Sequence, residues 1–515
     1  MVRHPREGGN KRAGNTAGKR LASTPPPGSS RRADADSTDS TLRPAAQAGA
    51  KASRAANASR LIAEQDDAGR PLSPGKTAWR SGFKPSANKG SPAGRAEPNT
   101  ARRHFTQDSG PAGPLQLTRR RFLEMAAGGT ALAGMSGLLG ACQRPGDTSL
   151  VVPLPRPNHQ VKWPIYSDNE PIKSGLAPEK GATLQVYNWV DYINEAVLDS
   201  FAKKYDCKYN ITTFDTMAEG ISKLQSGELN FDIFFPTIDF VGPLVEGKLL
   251  RPLNHDYIPN IDQAWPHFRN PFYDLDWQYT IPYTIYTTGM GWRKDHTDLT
   301  PSWAMPWVAG EAYRGKVGIL DDYREGPCLA LLKMGITDLN TTDDGQVTAA
   351  LDQLNTLQGL TDLEIDNNDF SDLPEGQSYI HQAWSGDIGS AWEYLPSHVK
   401  ADVLGYWFPA DGVGPIANDL VTILTTGQNP VLSHLFLNYM LDLKVALVNI
   451  GYNGYMQPIE GATATVLIEK GYIPAVLSST VVKTSYFQTG LQELALPPDA
   501  NDFWQNAWLT FSGGL

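Results

Sequence analysis

Strand-like and helix-like patterns of hydrophobic residues alternate along the chain from residue 183 onward. Residues 183–189 alternate as a half-buried strand does, and residues 195–205 place apolar side chains four positions apart, as an amphipathic helix does. A second helix is predicted over 217–224, and a short apolar strand follows at 231–236. Strands that alternate with helices favour an α/β architecture with a largely parallel sheet.

The same order of patterns returns after Pro301. A strand, an amphipathic helix and two further strands are predicted over 317–320, 347–357, 388–392 and 420–424. Two blocks of this kind predict two lobes with a cleft between them, where small-molecule sites commonly lie. The loops at the carboxyl ends of the strands are expected to converge on that cleft.

Composition divides the chain into a basic N-terminal part and an acidic remainder. Residues 1–117 hold 20 basic and 9 acidic side chains, are rich in Ala, Gly, Ser, Pro and Arg, and have almost no apolar periodicity. Such a segment cannot bury enough apolar surface to offset its ordering entropy, so we predict a disordered tail or an over-extended start. Residues 142–515 hold 22 basic and 45 acidic side chains, which argues against a nucleic-acid partner.

An export signal is predicted between these two parts, at 118–141. Arg119 and Arg120 precede an uncharged run over 125–141, the arrangement of a twin-arginine signal. The run ends before Cys142 in a sequence that resembles the lipobox of bacterial lipoproteins. We therefore expect cleavage before Cys142, acylation of its thiol, and a Pro-rich tether over 142–181.

Familiar catalytic and metal-binding motifs are absent from the sequence. It contains no G-x-S-x-G, H-E-x-x-H or P-loop motif, and its nine His lack ligand spacing. Residues 366–372 superficially resemble a calcium loop but lack the Gly at the sixth position and the Glu at the twelfth. We predict a solvated turn there, no metal site and no cofactor.

Acidic and aromatic residues recur instead where the predicted strands end. The set is Trp189, Tyr192, Asp322, Glu325, Trp392 and Asp419. Carboxylates accept the N–H bonds of an ammonium group, and an aromatic face adds cation–π attraction. Each residue also has a structural interpretation, since acids favour a helix N-terminus and Trp side chains favour a core. Together, at loops that share one cleft, they predict a site for an organic cation.

Several motifs then carry a resemblance to a known family. The two most specific are Asn-Trp-x-Asp/Glu-Tyr at 188–192 and Asp-Asp-x-Arg-Glu at 321–325. Less specific motifs lie at 231–236, 244–253, 281–283, 288–291, 302–303 and 313–317. In this order, from about residue 182 to the C-terminus, the chain resembles the spermidine/putrescine-binding proteins of ABC transporters.

The resemblance implies an α/β, two-lobed periplasmic-binding-protein fold of type II. Each lobe would be a mixed, mostly parallel sheet flanked by helices, with the ligand cleft between the lobes. The expected segments are a disordered tail 1–117, a twin-arginine lipoprotein signal 118–141, a lipidated Cys and tether 142–181, lobe 1 at 182–288 and 418–465, lobe 2 at 289–417, and a C-terminal segment on lobe 2 at 466–515.

The resemblance also assigns ligand-binding roles to individual residues. It implies Trp189 and Tyr192 as aromatic walls, Asp322 and Glu325 around one amine, Trp392 as a stacking ring, Asp419 at another amine, and Gln488 as a ligand-bonding amide. Three positions depart from the family pattern: Val190 replaces a hydroxyl residue, Asp239 or Phe240 replaces Tyr or Ser, and Ala417 replaces a Trp. Asp239 would add an acid suited to a more highly charged amine.

The function implied is that of an extracytoplasmic, non-enzymatic receptor for polyamines of the putrescine/spermidine class. Its expected partners are the ligand, the permease and ATPase subunits of an ABC importer, and the membrane through the lipid anchor, with the chain itself a monomer. Two alternatives stay open. The fold could serve another organic cation, an anion or a metal ion, or the protein could be a secreted hydrolase with Asp322 and Glu325 as its acid/base pair.

Overall fold

A computed structural model describes residues 152–227 and 230–513. Within these residues the chain forms nine strands. They are β1 (Thr183–Trp189), β2 (Lys208–Phe214), β3 (Ile233–Phe234), β4 (Thr280–Arg293), β5 (Val317–Ile319), β6 (Glu364–Ile365), β7 (Ile380–Trp384), β8 (Leu404–Trp407) and β9 (Ile416–Ile423).

The described residues also form fourteen α-helices. They are α1 (Glu195–Tyr205), α2 (Met217–Ser226), α3 (Val241–Glu246), α4 (Pro266–Arg269), α5 (Met305–Ala309), α6 (Glu325–Lys333), α7 (Asp344–Thr361), α8 (Asp369–Glu375), α9 (Ser385–Ser390), α10 (Pro430–Met440), α11 (Leu443–Asn453), α12 (Ala464–Glu469), α13 (Tyr486–Thr489) and α14 (Pro498–Ser512). The predicted helices over 195–205, 217–224 and 347–357 are confirmed as α1, α2 and α7. Asn194 caps α1 by accepting the N–H of Ala196.

Two mixed sheets organise the fold, and each combines parallel and antiparallel pairs. In the first, β1 lies parallel to β2 and β3, and β9 pairs antiparallel with β3 and β4. In the second, β5 lies parallel to β6 and β7, and β4 pairs antiparallel with β7 and β8. We call the sheet of β1, β2, β3 and β9 with its helices lobe 1, and that of β5 to β8 lobe 2. The predicted two-block α/β fold is confirmed.

Strand β4 belongs to both sheets. Its first half, through Thr287, pairs with β9, and its second half, from Thr288, pairs with β7. The second half also runs beside β8, where a Cβ on Gly289 would lie 2.1 Å from the carbonyl oxygen of Trp407. Only glycine permits that approach. Strand β4 is therefore shared by the two lobes.

The C-terminal helix α14 packs on lobe 2. Trp504 and Trp508 lie in the same hydrophobic cluster as Leu329 of α6 and Leu354 of α7. The indole of Trp504 donates to the carbonyl oxygen of Thr341 at 3.2 Å. Burial of two large rings fixes this helix against the lobe.

Residues 152–170, predicted as part of an extended tether, also lie against the protein body. Trp163 is 1% exposed, and its indole donates to the carbonyl oxygen of Tyr273 at 2.7 Å. The N–H of Val161 donates to the carbonyl oxygen of Phe272 at 2.8 Å. This stretch has little regular structure, as its composition predicts, but it is not a free tether.

Two predicted strand boundaries are wrong. Residues 388–392 lie in α9 and the following 3₁₀ turn Ala391–Tyr394, and the strand that ends on a Trp is β7, at Trp384. A short apolar run does not distinguish a buried strand from a buried helix. Strand β9 begins at Ile416, so Asn418 and Asp419 lie within it rather than ahead of it.

Within 152–227 and 230–513, no single helix is both long and apolar enough to cross a membrane. The pair α10 and α11 reaches that length and composition only when taken together, with a bend of 77° at its break.

Candidate functional site

Asp419 of β9 is a buried carboxylate held by tyrosine hydroxyls. The hydroxyl of Tyr192 donates to its Oδ2 at 2.6 Å, and the hydroxyl of Tyr286 on β4 lies 3.5 Å from its Oδ1. Burial raises the pKa of Asp419 to about 7, and the nearby charge of Asp239 raises it further, against the effect of the Tyr192 hydrogen bond. The protein therefore keeps a carboxyl group here whose ionisation is disfavoured.

The position of Tyr192 follows from the turn after β1. Asp191 has φ 54°, in the left-handed region that Asp tolerates better than most residues. Beyond that turn, the carbonyl oxygen of Tyr192 accepts bonds from the Tyr283 hydroxyl at 2.6 Å and from the Asn453 amide at 2.9 Å. Its own hydroxyl also bonds Thr284. These contacts hold the phenol rigidly against Asp419.

Glu325, the first residue of α6, is the second buried carboxylate. Its Oε1 accepts bonds from the Thr288 hydroxyl of β4 at 2.7 Å and from the Trp384 indole of β7 at 2.9 Å. Its Oε2 is buried and makes no hydrogen bond. Burial, reinforced by the charge of Asp322, raises the pKa of Glu325 to about 7. An acceptor oxygen without a donor is thus left in the site.

Asp322 shapes the turn that presents Glu325. Its Oδ1 accepts the backbone N–H groups of Arg324 at 2.7 Å and of Glu325 at 3.1 Å. The structural interpretation of an acid at a helix N-terminus therefore applies to Asp322. The side chain is partly exposed, so it also contributes negative charge beside Glu325.

Asp239 lies in the 3₁₀ turn Ile238–Phe240 of lobe 1, and its carboxylate interacts electrostatically with Arg324 and Asp322 of lobe 2. Its Oδ1 accepts the hydroxyl proton of Thr237. Burial raises its pKa, and among the smaller effects Arg324 lowers it and Asp322 raises it. The structure therefore brings Asp239 into the same group of acids as Asp322, although the two residues come from different lobes.

The aromatic residues predicted from the sequence have structural contacts. The indole of Trp189 donates to the carbonyl oxygen of Phe235 at 3.1 Å, and its ring lies 4.6 Å from that of Phe214. Trp392 is partly buried against a hydrophobic cluster that has residues from both lobes. Gln488 is exposed in α13 and makes none of the hydrogen bonds described above.

Two aromatic residues in the site were not predicted, Tyr286 and Trp384. The ring of Tyr286 packs edge-on against those of Trp384 at 6.5 Å and Tyr455 at 5.6 Å. Burial, followed by the charges of Asp419 and Glu325, raises the pKa of its phenol. Trp384 lies directly at the end of strand β7, a signal that the predicted strand over 388–392 concealed.

Neither Asp419 nor Glu325 forms an ion pair with a lysine or arginine in the described part of the chain. A buried carboxylate without a protein cation is unfavourable unless something else supplies the positive charge. The arrangement suits a ligand with at least two cationic N–H donors, placed beside Tyr286. The predicted lipidation site Cys142 and the arginine pair lie outside the described residues.

Comparison with known sequences identifies a family and several relatives. The family of bacterial extracellular solute-binding proteins matches residues 196–471. The spermidine/putrescine-binding periplasmic protein 1 of Haemophilus influenzae is 27% identical over 317 residues, which cover 59% of this chain and 84% of the relative. The putrescine/cadaverine-binding protein of Pseudomonas aeruginosa is 25% identical over 279 residues, covering 53% and 78%.

Solved structures share the fold. A putative spermidine/putrescine ABC transporter protein from Listeria monocytogenes matches 65% of this chain and 99% of its own, with a TM-score of 0.57 and 23% identity. The substrate-binding protein PotD of Streptococcus pneumoniae matches 64% and 99%, with a TM-score of 0.54 and 23% identity. These likenesses show that the chain shares the fold of those two proteins.

Proposed function

Since this chain belongs to the bacterial extracellular solute-binding proteins, we propose that it is the polyamine receptor of an ABC importer. The observation that carries the proposal is the pair Asp419 and Glu325. Both are buried, both have a pKa near 7, and neither has a lysine or arginine as ion-pair partner among the described residues. The curated relatives named for spermidine, putrescine and cadaverine support the same ligand class.

In this proposal each carboxylate receives one ammonium group of the ligand. The free Oε2 of Glu325 accepts an N–H bond that no protein group supplies, while Oε1 stays oriented by Thr288 and Trp384. At the other end, Tyr192 orients Asp419 in the same way. Charge-assisted bonds of this kind are shorter and stronger than neutral ones. The protein binds and releases the cation without changing it.

The further acids beside these two ends favour a polyamine over a monoamine. Asp322 and Asp239 add negative charge without closing the site, since Asp322 accepts the backbone N–H groups of Arg324 and Glu325 and Asp239 bonds Thr237. Desolvation and like-charge repulsion oppose the ionisation of Asp239 and Glu325 until a polycation enters. Trp189, Trp392 and Gln488 keep their predicted roles as walls and as an amide ligand within this proposal.

Titration calorimetry of the full chain with putrescine and with spermidine tests the proposal, together with thermal melting. We expect saturable binding by one ligand and a rise in melting temperature, because a ligand that binds only the folded state stabilises it. Glu325→Gln should lower affinity by roughly 30-fold or more, since it leaves one ammonium desolvated and unpaired. The exposed acid Glu469 gives the matched control, and Glu469→Gln should bind as wild type does.

Two results would contradict different parts of the proposal. If no polyamine binds but an anion or a metal ion does, the assigned function is wrong. If polyamines bind equally well to wild type and Glu325→Gln, the function stands and the site is wrong. Product analysis after prolonged incubation distinguishes a receptor from a hydrolase, because a receptor returns the ligand unchanged.

The route to the membrane is a separate part of the proposal. The pair Arg119–Arg120 before an uncharged run supports twin-arginine export, and Cys142 after that run supports a lipid anchor that holds a monomeric receptor beside the permease. Replacing both arginines with lysine should retain the protein in the cytoplasm. Cys142→Ser should abolish labelling with a fatty-acid analogue while the ligand affinity stays unchanged. Labelling that persists in Cys142→Ser would refute the anchor.

A further inference from the structure

A third carboxylate, that of Glu493, lies near Glu325 and has no role in the site described above. It belongs to the segment 491–495, which lies between helix α13 and helix α14. Its Oε1 is buried and makes no hydrogen bond, and the same holds for Oε2 of Glu325. A buried acceptor without a donor is costly, so two such oxygens in one region indicate donors that the protein does not supply.

The segment 491–495 is fixed against the start of α6. The N–H of Leu494 donates to Oδ1 of Asn340 at 2.7 Å, and the carbonyl oxygen of Leu494 accepts a bond from Nη1 of Arg324 at 3.0 Å. Arg324 directly precedes Glu325, the first residue of α6. The residue after Glu493 is therefore bonded to the residue before Glu325, which brings the two glutamates close together.

The same segment also contacts the strand that carries Asp419. The N–H of Leu491 donates to the carbonyl oxygen of Gly414 at 2.8 Å. The carbonyl oxygen of Leu491 accepts the N–H of Ile416, the first residue of β9, at 3.1 Å. The segment 491–495 therefore runs from the strand of one buried carboxylate of the site to the helix of the other.

The side chain of Glu493 lies beside the first turn of α6. Cys328 shares a face of this helix with Glu325, and its thiol is hydrogen-bonded to the Glu493 carboxyl group. Burial raises the pKa of Glu493 well above its usual range, and the charge of Glu325 raises it further. Burial and the charge of Asp419 raise the pKa of the Tyr286 phenol most, and the charges of Glu325 and then Glu493 add to them. Glu493 is therefore within electrostatic reach of the aromatic ring in the site.

Arg324 does not neutralise Glu493 by direct contact. Its Nη1 and Nη2 donate to main-chain carbonyl oxygens and to an amide oxygen. Within 152–227 and 230–513, Glu493 forms no ion pair with a lysine or an arginine. The charge of Asp322 also acts on Glu493. The Glu325 end of the site thus has the carboxylates of Asp322, Glu325 and Glu493 around one guanidinium, which is more negative charge than a single ligand ammonium offsets.

We propose that Glu493 is a further ligand-binding carboxylate, and that the receptor therefore selects polyamines with three or more ammonium groups over diamines. This inference rests on the polyamine function proposed above. Glu325 and Glu493 receive the inner ammonium and one terminal ammonium of a ligand such as spermidine, which a short methylene chain separates, and Asp419 receives the other terminal ammonium. A ligand without the inner ammonium leaves a buried acceptor unpaired, and sites of this kind reject such ligands.

A comparison of two ligands on the wild-type full chain tests the inference without any variant. Spermidine and α,ω-diaminooctane have the same length, and they differ in that a methylene replaces the inner ammonium. Titration calorimetry should show that spermidine binds more tightly by about tenfold or more. Equal affinities, or tighter binding of the diamine, would overturn the inference while the receptor proposal stands. If neither amine binds, the receptor proposal itself is wrong.

Glu493→Gln tests the role of the residue with the same two ligands. The variant should bind spermidine more weakly by about tenfold or more, whereas its affinity for α,ω-diaminooctane should change by less than about threefold. Asp499→Asn, at an exposed position in the first turn of α14, is the control and should change neither affinity. If Glu493 only supports Arg324, the variant weakens both ligands alike, and that result, like unchanged binding of both, would overturn the inference.

Discussion

Asp419→Asn should weaken ligand binding and at the same time stabilise the unliganded protein at pH 8. The substitution keeps the shape of the side chain. The new amide oxygen can accept the Tyr192 hydroxyl bond, and the new NH₂ can face the Tyr286 hydroxyl, which lies 3.5 Å from the present Oδ1. Only the buried negative charge is lost, so both effects have one physical cause.

The size of the stabilisation follows from the pKa of Asp419, which burial raises from 3.8 to about 7. A tenfold change in an ionisation constant corresponds to about 1.4 kcal/mol, so ionised Asp419 costs the folded state about 4 kcal/mol at high pH. The sign follows from linkage. Near pH 4 the folded protein holds Asp419 protonated at little cost, whereas between pH 4 and 7 only the unfolded chain ionises and stability falls. The variant should therefore match wild type near pH 4 and exceed it by up to about 4 kcal/mol above pH 7.

Urea unfolding at pH 4.5 and at pH 8, without ligand, measures this difference. Calorimetry at pH 8 should show that the same variant has lost at least roughly 30-fold in putrescine affinity. Glu469→Gln, at an exposed position, should change neither quantity. A stability difference that does not depend on pH, or a variant less stable than wild type at pH 8, would refute the reasoning.

Three further predictions concern the same protein. Trp384→Phe removes the indole donor to Glu325 and should weaken ligand binding by about 1.5 to 3 kcal/mol, as measured by calorimetry. Trp392→Phe should weaken it little. Equal losses in the two variants would refute the role of Trp384. Polyamine affinity should fall from pH 8 to pH 6, because Asp419 and Glu325, each with a pKa raised to about 7, must lose protons to bind an ammonium group. Calorimetry in buffers of different ionisation enthalpy should detect the released protons. An affinity that does not depend on pH would argue against both assignments. Trp163→Ala should lower the free energy of unfolding by about 3 to 5 kcal/mol without altering ligand affinity, and an unaffected melting temperature would show that residues 152–170 do not support the fold.

Much of the fold could be predicted because its elements have clear periodicity. Helix α1 begins and ends where the spacing of its apolar residues and Asn194 indicate. The short strand β7 could not be separated from α9 by pattern alone, because both are buried and apolar. The C-terminal tryptophans and the burial of Trp163 depend on contacts more than 100 residues away along the chain, which no local pattern contains.

The candidate site was partly predictable for a similar reason. Acids just beyond a strand, such as Glu325, could be identified, since the loops at strand ends meet in an α/β fold. Tyr286 and Thr288 lie inside a strand, and only the pairing of β4 with two sheets reveals that they meet the two carboxylates.

Strand β4 couples the distance between the two buried carboxylates to the angle between the two sheets, because it belongs to both. The hydroxyls of Tyr286 and Thr288 reach Asp419 and Glu325, and these two residues lie on either side of the point where the strand leaves one sheet and enters the other. Any rotation of the lobes turns the backbone at that point and so changes the distance between the two negative charges. If the ligand is a polyamine, as proposed, its length would set that distance and, with it, the backbone torsions of β4.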